Sequence, residues 1–225
     1  MLVERLAEVE ERLRAACRRA GRARNEVTLV AVTKTVSAET AALLPGLGAC
    51  DLGESRPQEL WHKAAVVQGA RWHLIGHLQR NKIERTLPLI ERIHSVDSAR
   101  LLQALEEACK RAARTLPALL EVNASGEASK NGFAPEEVGS LAEIVAKLQH
   151  LRIDGLMTMA AHAEDPEKTR PTFAALRKLR DRLANEWGRA LPHLSMGMSN
   201  DFEIAVEEGA TMVRLGTVLF EGLEG

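Results

Sequence analysis

The chain has no tyrosine and few aromatics of any kind: four Phe and three Trp in 225 residues. Large rings therefore do not carry the core. Packing must rest on Leu, Val, Ile and Ala, within a 45% hydrophobic content that suits a full globular interior. Tyrosine is also excluded as an acid–base group, a point that returns below. The three cysteines, Cys17, Cys50 and Cys109, are odd in number and form no Cys-x-x-Cys pair. That excludes a disulfide framework and fits reduced thiols in a cytosol. No apolar run approaches the ~20 residues of a membrane span. Glu4, Glu8 and Glu10 stand where a signal peptide needs an apolar core. Net charge is also lacking, since 30 Lys and Arg nearly balance 31 Asp and Glu. No overall field draws nucleic acid or an anionic membrane. One basic run, Arg12, Arg14, Arg18, Arg19, Arg22 and Arg24, reads as the solvated end of a first helix rather than a nucleic-acid patch. These features predict a cytoplasmic monomer with neither nucleic acid nor membrane as partner.

What is present is an alternation of short apolar runs with longer amphipathic ones. Leu2, Leu6, Val9, Leu13 and Ala16 recur at helical spacing and open the chain with a helix. Strand candidates follow at 27–32, 49–52, 72–75, 92–96, 117–122, 151–157, 193–196 and 211–215. Helical stretches fall at 39–44, 58–67, 81–87, 99–113, 135–148, 168–187 and 202–208. Strands alternating with helices predict a parallel sheet, and eight of them predict closure into a barrel. At 225 residues the chain is within the range of that fold, which spans about 250 residues and tolerates roughly 200. The dinucleotide fingerprint is absent, because Gly46-Leu-Gly48 is followed by Asp51 where a third glycine belongs. With no repeat or linker, the expectation is one domain, residues 1–225: an α/β, single (β/α)8 TIM barrel with an extra N-terminal helix.

Chemistry in such barrels sits at the C-terminal ends of the strands. Strand one ends Val32-Thr33-Lys34, and parity puts Lys34 on the face of Thr28, Val30 and Val32. A lysine there either snorkels into solvent or is buried, where a lowered pKa frees its amine to attack an aldehyde. After strand seven comes Ser195-Met-Gly-Met-Ser199-Asn-Asp201, and after strand eight Arg214-Leu-Gly216-Thr217. Ser199, Asn200 and Asp201 read either as ordinary helix caps or, with Gly216 and Thr217, as a phosphate cup of the kind this fold builds from its last two loops. Arg214 shares parity with Met212 and Gly216, and a guanidinium entering the barrel mouth is costly unless it meets an anion or acceptor. A lysine, a phosphate cup and an arginine between them predict a phosphorylated aldehyde lying across the barrel. The ligand expected is pyridoxal 5'-phosphate (PLP).

The sequence resembles the pyridoxal phosphate homeostasis protein family, which is similar to the N-terminal barrel of alanine racemases. The matching segments are Val30-Ala-Val-Thr-Lys34, Gly53-Glu54 with Gln58-Glu59, and Trp72-His-Leu-Ile-Gly-His-Leu-Gln79 with Asn81-Lys82. They continue through His94-Ser-Val-Asp97, Glu121-Val-Asn-Ala-Ser-Gly-Glu-Ala-Ser-Lys-Asn-Gly132 and Gly155-Leu-Met-Thr-Met159. Last come Met196-Gly-Met-Ser199, Asp201, Val213-Arg-Leu-Gly-Thr217 and Leu219-Phe220. The resemblance implies that Lys34 carries PLP as a Schiff base, that Ser199, Gly216 and Thr217 hold the phosphate, and that Arg214 faces the pyridine nitrogen. The family usually has Asn after Gly-Glu, whereas this chain has Ser55, which with Gln58 also reads as a helix capping box.

Other candidates keep two readings. Met157 and Met159 share strand parity and either fill the barrel or flank the cofactor. Lys130 is a loop charge or a partner for the ring hydroxyl. His73 and His77 have the spacing of a zinc pair but straddle strand three and Gly76 rather than one helix face, so no metal site is expected. An amino-acid racemase needs two bases; in alanine racemases one is the cofactor lysine and the other a tyrosine from a second domain. This chain has no tyrosine and ends at Gly225, just past strand eight. An arginine at the pyridine nitrogen also weakens the ring as an electron sink. The expectation is a carrier in PLP homeostasis that supplies apo PLP-dependent enzymes, with no racemase activity. A weak PLP-dependent enzyme acting on amino acids and a Schiff-base aldolase for phosphosugars are the alternatives.

Overall fold

A computed structural model describes residues 1–126 and 131–223. Eight parallel strands close into a barrel in chain order: β1 (Thr28–Val32), β2 (Asp51–Glu54), β3 (Arg71–Leu74), β4 (Arg92–Val96), β5 (Leu116–Glu121), β6 (Leu151–Met157), β7 (His193–Ser195) and β8 (Met212–Leu215). The ring is sealed by β1 pairing with β8, with Val30 opposite Arg214. Outside lie α1 (Leu2–Arg19), α2 (Ala38–Ala42), α3 (Pro57–Ala64), α4 (Ile83–Thr86), α5 (Ala99–Arg111), α6 (Ala142–Lys147), α7 (Arg170–Glu186), α8 (Phe202–Glu207) and α9 (Thr217–Phe220). The architecture is the (β/α)8 barrel the alternation predicts, with the extra helix in front. Among the described residues no helix is long and apolar enough to cross a membrane.

Strand parity sorts the core into two layers. Leu52, Leu74, Ile93, Leu120, Ile153, Leu194 and Val213 face the helices and pack with Leu60, Leu102, Phe173, Leu176 and Phe202 in one continuous cluster. The barrel interior holds a much smaller apolar group, Leu119, Met157 and Met212, with Met159 against it. In this fold the interior is ordinarily filled by branched apolar side chains. Here much of that space goes to His73, His94, Ser195 and Arg214, all buried.

The basic run is engaged rather than merely solvated. Helix α1 buries Val9, Leu13, Ala16 and Cys17 and packs on α8 and α9. Arg12 pairs with Glu203 at 3.2 Å and Arg19 with Glu207 at 2.6 Å, both across that contact. Arg14 and Arg24 meet Glu10, Arg18 meets Glu11, and Arg22 meets Glu26.

Candidate functional site at the barrel mouth

The loops after β7 and β8 are tied together by backbone bonds. Met196 N donates to Met212 O at 3.1 Å, and Arg214 N donates to Gly197 O at 3.0 Å. Gly197 turns the chain at φ 93°, and a Cβ there would lie 2.5 Å from Ala205 Cβ, so only glycine fits the turn against α8. Asp201 then accepts the Met198 N–H at 2.6 Å, and Ser199 Oγ accepts the Val218 N–H at 3.2 Å. Ser199, Gly216 and Thr217 are therefore gathered at one place. Capping of α8 by these side chains is not seen, although Ser199 Oγ takes a first-turn N–H of α9. Asp201 occupies the N-cap position of α8 without a side-chain cap bond, and Asn200 donates instead to Ala163 O at 2.8 Å. Helix α9, four residues from Thr217 to Phe220, is too short to show a helical period in the sequence.

Lys34 lies beside this group. Strands β1 and β8 are neighbours, and a Cβ on Gly216 would stand 3.3 Å from Val32 O, two residues before Lys34. Of the two readings of its amine, the solvent-facing one holds, because β1 stops at Val32 and Lys34 sits exposed in the turn that follows. Among the described residues the buried lysine is Lys63 on α3. Its Nζ donates to Thr33 O and to Glu54 Oε1, each at 2.6 Å, while Thr33 Oγ1 donates to the same carboxylate oxygen at 2.6 Å. This cluster fixes the backbone just ahead of Lys34. Its sequence signal was a lysine three residues past Leu60, on the helix face that is otherwise buried. The capping box at Ser55 is also corrected, since Pro57 takes the first helical position and puts the N-cap on Arg56.

Arg214 is the buried centre of the site. Nη1 donates to Ser195 Oγ at 2.6 Å and Nη2 to Thr158 O at 2.9 Å. Burial pulls its pKa down to about 10, against the facing carboxyl groups of Glu121 and Asp201. Glu121, at the end of β5, is pushed up to about 7 by burial and by nearby Asp97, with Arg214 and His77 acting the other way. Sequence reasoning gave Glu121 no role. Met159 packs against the interior group of Leu119, Met157 and Met212, so it is partly barrel filling. His73 and His77 diverge: His73 is bonded to His94 inside the barrel, and His77 to Asp97 at 2.6 Å on the mouth side. Among the described residues no group of three or more His, Cys, Asp or Glu could hold a metal. Lys130 lies outside the described residues.

A family model for the alanine racemase N-terminal domain matches residues 5–223. The pyridoxal phosphate homeostasis protein of Aquifex aeolicus is 42% identical over 219 residues, covering 96% of each chain. The chain belongs to the pyridoxal phosphate homeostasis protein family. Its Pseudomonas aeruginosa member is 40% identical over 97% of this chain and 94% of its own. Among solved structures, PipY of Synechococcus elongatus with PLP bound has a TM-score of 0.85 and 30% identity, covering 98% of this chain and all of PipY.

Proposed function

We propose that this chain is a carrier of PLP in the cytoplasm, holding it as a Schiff base on Lys34 and supplying it, as a monomer, to apo PLP-dependent enzymes without racemising amino acids. The observation that carries the reading is Arg214: a buried guanidinium, pinned by Ser195 and Thr158 O, next to the Ser199–Gly216–Thr217 group and the strand end that bears Lys34. The residues fit the group. Two hydroxyls and a glycine whose Cβ would crowd Val32 O suit a phosphate. A guanidinium suits an unprotonated pyridine nitrogen, because arginine only donates. Met159 is suited to flank the ring. When bound, PLP supplies an aldehyde that takes up amines reversibly. Lys34, exposed in its turn, is accessible for that exchange, and the names of the relatives and the PLP-bound PipY support PLP as the ligand.

A second reading, a PLP-dependent enzyme acting on amino acids, is favoured by Glu121, whose pKa of about 7 in the mouth suits a proton-transfer group. One experiment separates the two. The PLP-loaded protein is mixed with an apo-enzyme, and recovery of that enzyme is followed beside stereoinversion of alanine. Recovery without stereoinversion supports the carrier. Stereoinversion that disappears in Lys34→Ala supports the enzyme.

A further inference from the structure

The barrel interior contains a continuous hydrogen-bond chain that the carrier reading leaves unused. Asp51 Oδ1 is 3.0 Å from His73 Nε2, His73 Nδ1 is 2.9 Å from His94 Nε2, and His94 Nδ1 is 2.8 Å from Ser195 Oγ. Ser195 Oγ receives Arg214 Nη1 at 2.6 Å. Because β4 and β7 are not neighbours in the ring, the His94–Ser195 bond crosses the interior. The chain runs from the first residue of β2 to the arginine under the mouth. At its far end the exposed Arg71 grips Asp51 through Nε at 2.9 Å and Nη2 at 2.5 Å.

With one proton on each imidazole, the direction of every bond follows from what each group can donate. Arginine only donates, so Ser195 Oγ accepts from Arg214 and keeps one proton and one lone pair toward His94 Nδ1; the order is set from the Asp51 end. His94 is neutral, since burial first, and beside it the guanidinium charges of Arg214 and Arg92, hold its pKa well below 6.5. The Asp51 carboxylate takes its hydrogen bond from His73 Nε2–H, so with one proton per ring His73 accepts at Nδ1, His94 donates to it from Nε2 and accepts at Nδ1, and Ser195 Oγ donates there. Asp51 is an acceptor only: burial alone would raise its pKa, but hydrogen bonds from His73 and Arg71 outweigh this and hold it at about 2. The opposite order would set an unprotonated His73 Nε2 against a carboxylate oxygen, or require a second proton on His73.

We propose that Asp51, His73, His94 and Ser195 form a one-way relay in which Asp51, at the barrel's N-terminal end, is a remote positioning residue for Arg214. Asp51 fixes the tautomer of His73, which fixes that of His94, which keeps Ser195 Oγ available to hold the guanidinium. The consequence for cofactor binding rests on the reading of Arg214 as the partner of the pyridine nitrogen; the tautomers do not.

The test is long-range 15N–1H spectroscopy of the imidazoles in cofactor-free protein, with His73→Gln and His94→Gln assigning the signals. In the native chain both rings should carry the proton on Nε2. Asp51→Ala should release the order, giving His94 a mixture of tautomers, and weaken PLP binding about 2- to 10-fold, the equivalent of one net hydrogen bond. Asp51→Asn, whose carboxamide oxygen still accepts from His73, should restore both. An Nδ1–H tautomer of His94 in the native chain overturns the relay without any variant having to fold. Unchanged tautomers in Asp51→Ala overturn it as well. Failure of the PLP reading would look different: tautomers as stated, with no borohydride-trapped adduct on Lys34.

Discussion

Replacing Glu121 by glutamine should stabilise the cofactor-free chain relative to the native protein much more at pH 8 than at pH 5. Glu121 is 4% exposed at the end of β5, and its pKa rises from an ordinary 4.5 to about 7 through burial and the proximity of Asp97. The folded chain therefore keeps a proton that the unfolded chain releases between those values. Its contribution is complete below the unfolded value and disappears as pH rises through about 7, where the carboxylate must be charged inside the barrel. At about 1.4 kcal/mol per pKa unit, the cost above pH 7 reaches roughly 3 kcal/mol. Glutamine keeps the shape and a hydrogen-bonding end but does not titrate. Somewhat under 1 kcal/mol of this cost is already present at pH 5, so for a chain of this size the variant should gain roughly 5–10 °C in Tm between pH 5 and pH 8, relative to the native protein. Urea or thermal unfolding of both proteins at the two pH values gives the difference directly, because every other titrating group is common to both. A stability difference that is the same at pH 5 and pH 8 would refute the reasoning and return Glu121 to an ordinary carboxylate.

Two further outcomes are expected. Ser199→Ala and Thr217→Ala should each weaken PLP about 10- to 100-fold, as a lost bond to a charged group does, and leave pyridoxal, which lacks the phosphate, unaffected; titration by visible absorbance measures both, and equal weakening would place the cup elsewhere. Lys63→Met strands the buried carboxylate of Glu54 and should cost about 3–5 kcal/mol in denaturant unfolding, much of it recovered when Glu54 is also made apolar.

The periodicity of the sequence made the barrel legible because strand and helix repeats differ and their order is unbroken. Strands β4 and β6 fall where the apolar runs place them. Strand β2 lies two residues later than its apolar run, since Asp51, Gly53 and Glu54 carry no hydrophobic pattern and pairing of Leu52 with Ala31 and Trp72 sets the register. The helix read at 135–148 is ordered only as a 3-10 turn over Val138–Leu141 and α6, with Gly139 and Ser140 weakening its start. At the site, parity correctly sends Arg214 inward, and the loop glycines mark where chain must pass close to chain. Parity does not say which inward residues meet across the ring, so the relay from Asp51 and the nearness of Glu121 to Arg214 were invisible. Nor does it extend past a strand end, which is why it left the burial of Lys34 open and the side chain lies exposed.

Reduction of the PLP-loaded protein with borohydride, followed by proteolysis and mass spectrometry, tests the assignment of Lys34 most directly. The expected result is a pyridoxyl adduct on the peptide bearing Lys34, and its loss in Lys34→Ala together with the visible absorbance band. PLP should still bind weakly to that variant, because Ser199, Thr217 and Arg214 remain in place. An adduct on Lys82 or Lys130 instead, or one that survives Lys34→Ala, would contradict the account.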